Sequence, residues 1–152
     1  MNRIKKKTPE PTAPSGHGLS ESFGDRLRTT VTHSQRKNTM AKYLISFPSA
    51  AMIVPDGEWE AVGRDAHAVI NEAKAAGVYV FAGGIDQKVP PALVSADGKV
   101  TEGGYPWAPP LNGGFTVLEL SSREEAVTWA ARMAKACRCD QELRVFGFDP
   151  QS

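Results

Sequence analysis

Two spacings of apolar residues divide residues 40–150 into strands and helices. Lys42-Tyr43-Leu44-Ile45-Ser46-Phe47 reads as a first strand, ended by Pro48, which cannot donate to a β-ladder. From Glu58 to Ala76 the period changes. Trp59, Val62, Ala66, Val69, Ile70, Ala73 and Ala76 recur at three- and four-residue intervals and predict a helix with one apolar stripe. Gly77 is placed as its C′ cap. Val78 to Ala82 predicts a second strand, halted by Gly83-Gly84. Ala92-Leu93-Val94 and Lys99-Val100-Thr101 flank Asp97-Gly98, a hairpin signature with a two-residue type I′ turn. Phe115 to Leu120 is apolar or β-branched almost throughout, as a central strand requires. Ser121 with Glu124 and Ser122 with Glu125 form two overlapping capping-box patterns. The helix behind them is expected to bury Ala126, Val127, Ala130, Met133 and Ala134, with Trp129 at the edge, and to stop near Cys137. Leu143 to Phe148 predicts the last strand.

The order is strand, helix, strand, inserted hairpin, strand, helix, strand. Two βαβ halves with both helices on one face of an antiparallel sheet predict an α+β, ferredoxin-like βαββαβ fold with an inserted β-hairpin. The other sheet face is then open. Two such faces meeting across a two-fold axis bury each other, so the expectation is a homodimer, a dimeric α/β barrel.

Composition sharpens this picture in a few places. At 152 residues and 41% hydrophobic, the chain suits one folded domain. Residues 1–39 are rich in Pro, Gly, Ser and Thr without apolar clusters, and are expected to form a disordered tail. Met40 stands directly before the first strand, so a true start there is one expectation, with residues 40–152 as the domain. The net charge of +1 is split unevenly. The first 39 residues carry eight Lys/Arg against three acids, which leaves ten basic against fourteen acidic residues in the body. An acidic body is a poor match for phosphate backbones, so no nucleic-acid binding is expected of the folded part. Cys137 and Cys139 lack the second Cys/His pair that structural zinc needs, and read as reduced thiols near a helix end. No metal or cofactor is expected. No apolar run approaches the ~20 residues of a membrane span, and no signal-peptide core follows Lys5-Lys6-Lys7, so a cytoplasmic protein is expected.

Several runs carry a family resemblance. Asp97-Gly98-Lys99-Val100-Thr101-Glu102-Gly103-Gly104-Tyr105, Gly113-Gly114-Phe115, Ser122-Arg123-Glu124-Glu125-Ala126-Val127-Thr128-Trp129-Ala130 and Glu142-Leu143-Arg144 resemble the YCII-related (YciI-like), or DGPF-domain, family. So does Ala76-Gly77-Val78 followed by Gly83-Gly84. The likeness spans roughly Ala41 to Phe148. It implies a dimeric ferredoxin-like barrel, in some relatives with acid–base chemistry on small organic molecules by a histidine and a carboxylate. Other relatives are encoded beside or fused to alternative sigma factors. Where the family has Asp-Gly-Pro-Phe, this chain has Glu102-Gly103-Gly104-Tyr105, and the family's first-helix histidine falls at Ala66, one residue before His67.

His67 is the one histidine of the body and lies beside the apolar stripe. It reads either as a general base near neutral pH or as a helix-flank histidine. Glu102, at the position where the family keeps an acid, and Asp86, after Gly83-Gly84, are the candidate carboxylates; either can equally be a solvated loop acid. Tyr105 and Trp107, flanking Pro106, read as a pocket wall or lid, or as the closure of the core or a dimer interface. Arg144 alternates with Leu143 and Val145 and so points to the opposite sheet face, to pair with a ligand carboxylate or cross the dimer interface. Gly103-Gly104 and Gly113-Gly114 match no phosphate-binding pattern and read as turn geometry. The function expected is binding of a small organic molecule by a dimer, with lyase- or isomerase-like proton transfer if catalytic. The alternative is a non-catalytic sensor or an interaction module that partners a sigma factor.

Overall fold

The computed structural model describes residues 40–151. The expectations placed on residues 1–39, and the start at Met40, lie outside the described residues. The elements run β1 (Ala41–Phe47), α1 (Trp59–Ala75), β2 (Tyr79–Gly84), β3 (Ala92–Val94), β4 (Val100–Glu102), β5 (Gly114–Leu120), α2 (Arg123–Cys137) and β6 (Glu142–Val145). Four strands form one sheet in the order β2-β5-β1-β6, and β3 and β4 form a separate two-stranded sheet. Every pairing is antiparallel. The described residues form a mixed α+β domain with two α-helices.

Alternation along β1 and β5 sends Tyr43, Ile45, Thr116, Leu118 and Leu120 to one face, where all are buried. Ala126, Trp129, Ala130 and Met133 of α2 and Ala73 of α1 complete that core. Ile45, Leu118 and Leu120 are at most 1% exposed, and burying each such side chain contributes about 1.5–3 kcal/mol. Trp129 lies within the buried stripe of α2, while Val127 is exposed and Ala134 only half-buried. The helix phase that presents Ala126, Trp129/Ala130, Met133 and Ala136/Cys137 to the sheet buries the indole, the largest apolar group on α2. Arg132 covers the indole ring at 4.6 Å. Trp59 and Ala76 flank the buried length of α1 and stay exposed.

The helix ends follow the sequence closely. Ser122 caps α2, its Oγ accepting from the Glu125 amide at 3.1 Å. Glu125 reaches back to the Ser121 amide (3.1 Å) and hydroxyl (2.8 Å), so Ser121 supports the cap and Glu124 takes no part. Gly77 closes α1 at φ +73°, with the Val78 amide donating to the Ala73 carbonyl at 3.1 Å, a Schellman turn.

The hairpin differs from its expected turn. The Gly98 amide donates to the Ser95 carbonyl (2.9 Å) and the Ser95 amide to the Lys99 carbonyl (3.0 Å). Gly98 takes positive φ and Asp97 does not. This is a three-residue loop with a bulge at Gly98, not a two-residue type I′ turn. Asp97 explains the choice. Its Oδ1 accepts from the Ser95 hydroxyl and the Lys99 amide, which hold its carboxyl below the usual carboxylate range and fix it on the negative-φ side.

A bulge between Tyr79 and Phe81 changes which residues of β2 face the core. Tyr79 packs against the core cluster, and its hydroxyl accepts from the Ala82 amide at 3.1 Å. After the extra residue Phe81 stands opposite Val117, on the face away from the helices, and is 56% exposed. Phe146, beyond β6, is likewise exposed, and Leu44 and Val117 are half-buried. Within the protomer neither helix packs on this second face.

Candidate functional site

The sheet and α1 part company at one end, and three local features cause it. The 3₁₀ turn Ser49–Ala51 carries the chain away from β1. The glycines at the end of β2 and the start of β5 bring no side chains to the gap. Gly113, at φ +86°, lets the backbone pass so close to β1 that a Cβ there would lie 1.9 Å from the Phe47 carbonyl oxygen. Asn112 fastens the same crossing, its Oδ1 accepting from the Ser49 amide at 3.0 Å. The result is a cleft of about 430 Å³ beside the N-terminal half of α1.

The floor of this cleft is apolar, with Phe47 and Ile70 beside Met133 of α2. Trp59, Gly63 and His67 line it from successive turns of α1. Gln87 reaches across and donates its amide to the Ser49 hydroxyl at 2.9 Å, which leaves the serine proton and the glutamine carbonyl available to a bound molecule. Cys137 lies at the inner end, its thiol pushed up to about 11 by burial, with Cys139 adding to the shift. The thiol is therefore protonated and a poor nucleophile near neutral pH. Among the lining residues there is no Asp, Glu, Lys or Arg.

Two other concave regions differ in kind. One of about 540 Å³ lies on the uncovered sheet face, between Lys42, Glu119 and the chain around Phe146 and Phe148. The other, about 550 Å³, runs between the helices. It is crossed there by ion pairs from Arg132 to Glu72 and, at 2.7 Å, from Arg138 to Asp65.

Of the six residues singled out from the sequence, His67 is the one that lines the cleft beside α1. Its side chain is exposed at the rim, and among the described residues no hydrogen bond or ion pair joins it to a carboxylate. Glu102 ends β4 on the separate hairpin and is exposed. Asp86 turns its Oδ1 onto the Lys88 amide at 2.9 Å, a local turn contact. Tyr105 and Trp107 stack on each other with ring centroids 5.0 Å apart. They are 59% and 79% exposed and line none of the three clefts. Arg144 does stand on the uncovered face, opposite Leu44 in the register, and pairs with Glu142 at 2.5 Å.

Sequence reasoning passed over Ser49, Gly63, Gln87 and Thr116. Ser49 and Gln87 are polar residues in segments with no periodic signal, and Thr116 is a core-facing position of the alternating strand β5. Gly63 had one available clue, a glycine in the middle of a helical stripe. Among the described residues no group of His, Cys, Asp and Glu is arranged to hold a metal ion, and no helix is long and apolar enough to cross a membrane.

Compared with known proteins, the chain matches no family model and no curated protein. The YCII resemblance stands on the quoted residues alone.

Proposed function

We propose that this chain is a YCII-related, ferredoxin-like domain that pairs with a second copy through its uncovered sheet face and binds a small organic molecule in the cleft beside α1. The strand order β2-β5-β1-β6, with both helices on one face, supports the ferredoxin-like assignment. Phe81 and Phe146 on the other face, exposed in the protomer, support the pairing. The observation that carries the functional reading is the cleft itself. It is apolar on its floor and furnished with a few polar groups, His67 and the Ser49–Gln87 pair, and its volume falls in the range of small-molecule sites.

Within one protomer the reading favours binding over catalysis. Among the described residues no carboxylate orients His67 or shares its proton, and the cleft's thiol is held neutral. Proton transfer would need an acid brought against His67, and Asp86, next in the chain to the lining residue Gln87, is engaged with the Lys88 amide instead. A thermal-shift screen of small organic molecules tests the proposal. Hits that raise Tm for the wild type and lose that effect in His67→Ala and Trp59→Ala support it; hits indifferent to both substitutions refute it.

A second reading rests on the proline loop. The stacked Tyr105–Trp107 pair and Leu111, 76% exposed, form an apolar surface that suits an interaction module. A purified sigma factor that binds the wild type and not Trp107→Ser supports this reading, and equal binding of both removes it.

A further inference from the structure

Glycine is a poor residue for the interior of a helix, because it lacks side-chain contacts and loses more backbone freedom than alanine. Gly63 sits in the second turn of α1, and a Cβ built on it meets no atom within 4 Å. The other glycines of the cleft have packing reasons. A Cβ on Gly83 would stand 3.0 Å from the Phe81 ring, and one on Gly114 would stand 2.5 Å from the Phe47 ring. Gly113 is held by its backbone crossing, and a Cβ on Gly84 would make ordinary contact with the Gly113 carbonyl at 3.5 Å. Gly63 alone among them leaves open space where any other residue would project.

That space is bounded in a particular way. Trp59 lies one turn before Gly63 and His67 one turn after, so an indole and an imidazole flank a stretch of helix about 12 Å long whose lining residues, Gly63 and Ala66, are small. The sheet wall is free of side chains at Gly83-Gly84 and Gly113-Gly114. Among the lining residues no Asp, Glu, Lys or Arg is present to offset the desolvation of an ionic ligand.

We propose that Gly63 is the specificity-determining residue of this cleft and that the ligand is an uncharged, flat ring compound laid across it. This rests on the reading of the cleft as a ligand site and narrows it to a chemical class. The ring fills the volume a side chain at residue 63 would take, with its edges toward Trp59 and His67. One polar substituent meets the Ser49 hydroxyl or the Gln87 carbonyl.

The test titrates three probes into the full chain, followed by amide chemical shifts: indole, indole-3-acetate and cyclohexanol. Wild type is expected to bind indole with shifts centred on Gly63 and His67, and to bind the charged and the non-planar probes roughly tenfold more weakly. Gly63→Leu is expected to fold, with a Tm at or above wild type, and to weaken indole binding roughly tenfold or more. Gly63→Ala guards against a misfolded leucine variant. It should raise Tm and weaken indole several-fold, as one methyl group intrudes. Indole binding unchanged in both variants, equal binding of indole-3-acetate, or no binding of indole to wild type overturns the proposal. If small molecules of another class still raise Tm in a His67-dependent way, the cleft remains a ligand site and only its assigned class has failed.

Discussion

The two faces of the sheet are made by the same strands, residue by residue in alternation, yet they have opposite fates. Ile45 is 1% exposed under the helices, while its neighbour Leu44 is only half-buried on the other side. The covered face receives both helices, and its one incompletely filled end is the cleft. On the other face no layer of the described residues covers Leu44, Phe81, Val117 and Phe146. Among the described residues, one face therefore carries the packed core, and the other has stability to gain from whatever covers it.

Cutting into each face separates the two roles. Ile45→Ala is expected to cost about 2–5 kcal/mol in denaturant unfolding, the range for emptying a packed core position. Leu44→Ala should cost under about 1.5 kcal/mol in the dissociated protomer. Equal losses would mean that the faces do not differ as described. Phe81→Arg sharpens the contrast from the other side. On the proposed pairing it shifts sedimentation from dimer to monomer while the protomer stays folded. A wild type already monomeric at every concentration would remove the pairing.

Smaller effects belong to the covered face alone. Ser122→Ala removes the hydroxyl that accepts from the Glu125 amide and should lower stability by about 1 kcal/mol, read from the shift in the denaturation midpoint. The Cys137 thiol adds a pH dependence. Its folded pKa of about 11 lies above the ordinary thiol value of 9.0, so the folded chain holds the proton more tightly than the unfolded one. The contribution is complete below pH 9 and is lost as pH rises toward 11. Thiolate absorbance of the folded protein should therefore rise late, and Cys137→Ala should flatten the alkaline fall in stability.

How much of this was legible in the residues depended on periodicity. The stripe on α1, the Gly77 cap, the Ser122 cap and the strand at Phe115–Leu120 all followed from local patterns, because a cap or an alternating strand is decided by neighbours in the chain. The phase of α2 was not, since Val127 and Trp129 are both apolar and the choice between them is made by the sheet they meet. The β2 bulge was equally hidden. Nothing in Tyr79-Val80-Phe81 marks the extra residue that carries Phe81 to the opposite face. The cleft was legible through His67 alone. Its other polar groups, Ser49 and Gln87, stand 38 positions apart in the chain and are brought together by the crossing at Gly113, which no local motif records. The family resemblance directed attention to Glu102 and the proline loop, which the fold places away from the cleft.

The binding claim is most directly tested by mapping amide shifts for each hit from a small-molecule screen onto the chain. The expected outcome is a cluster confined to Gly63, His67, Gln87 and the glycines at the ends of β2 and β5, absent in His67→Ala. Shifts gathered on the uncovered sheet face or along the Tyr105–Trp107 loop, with the α1 cleft silent, would contradict it.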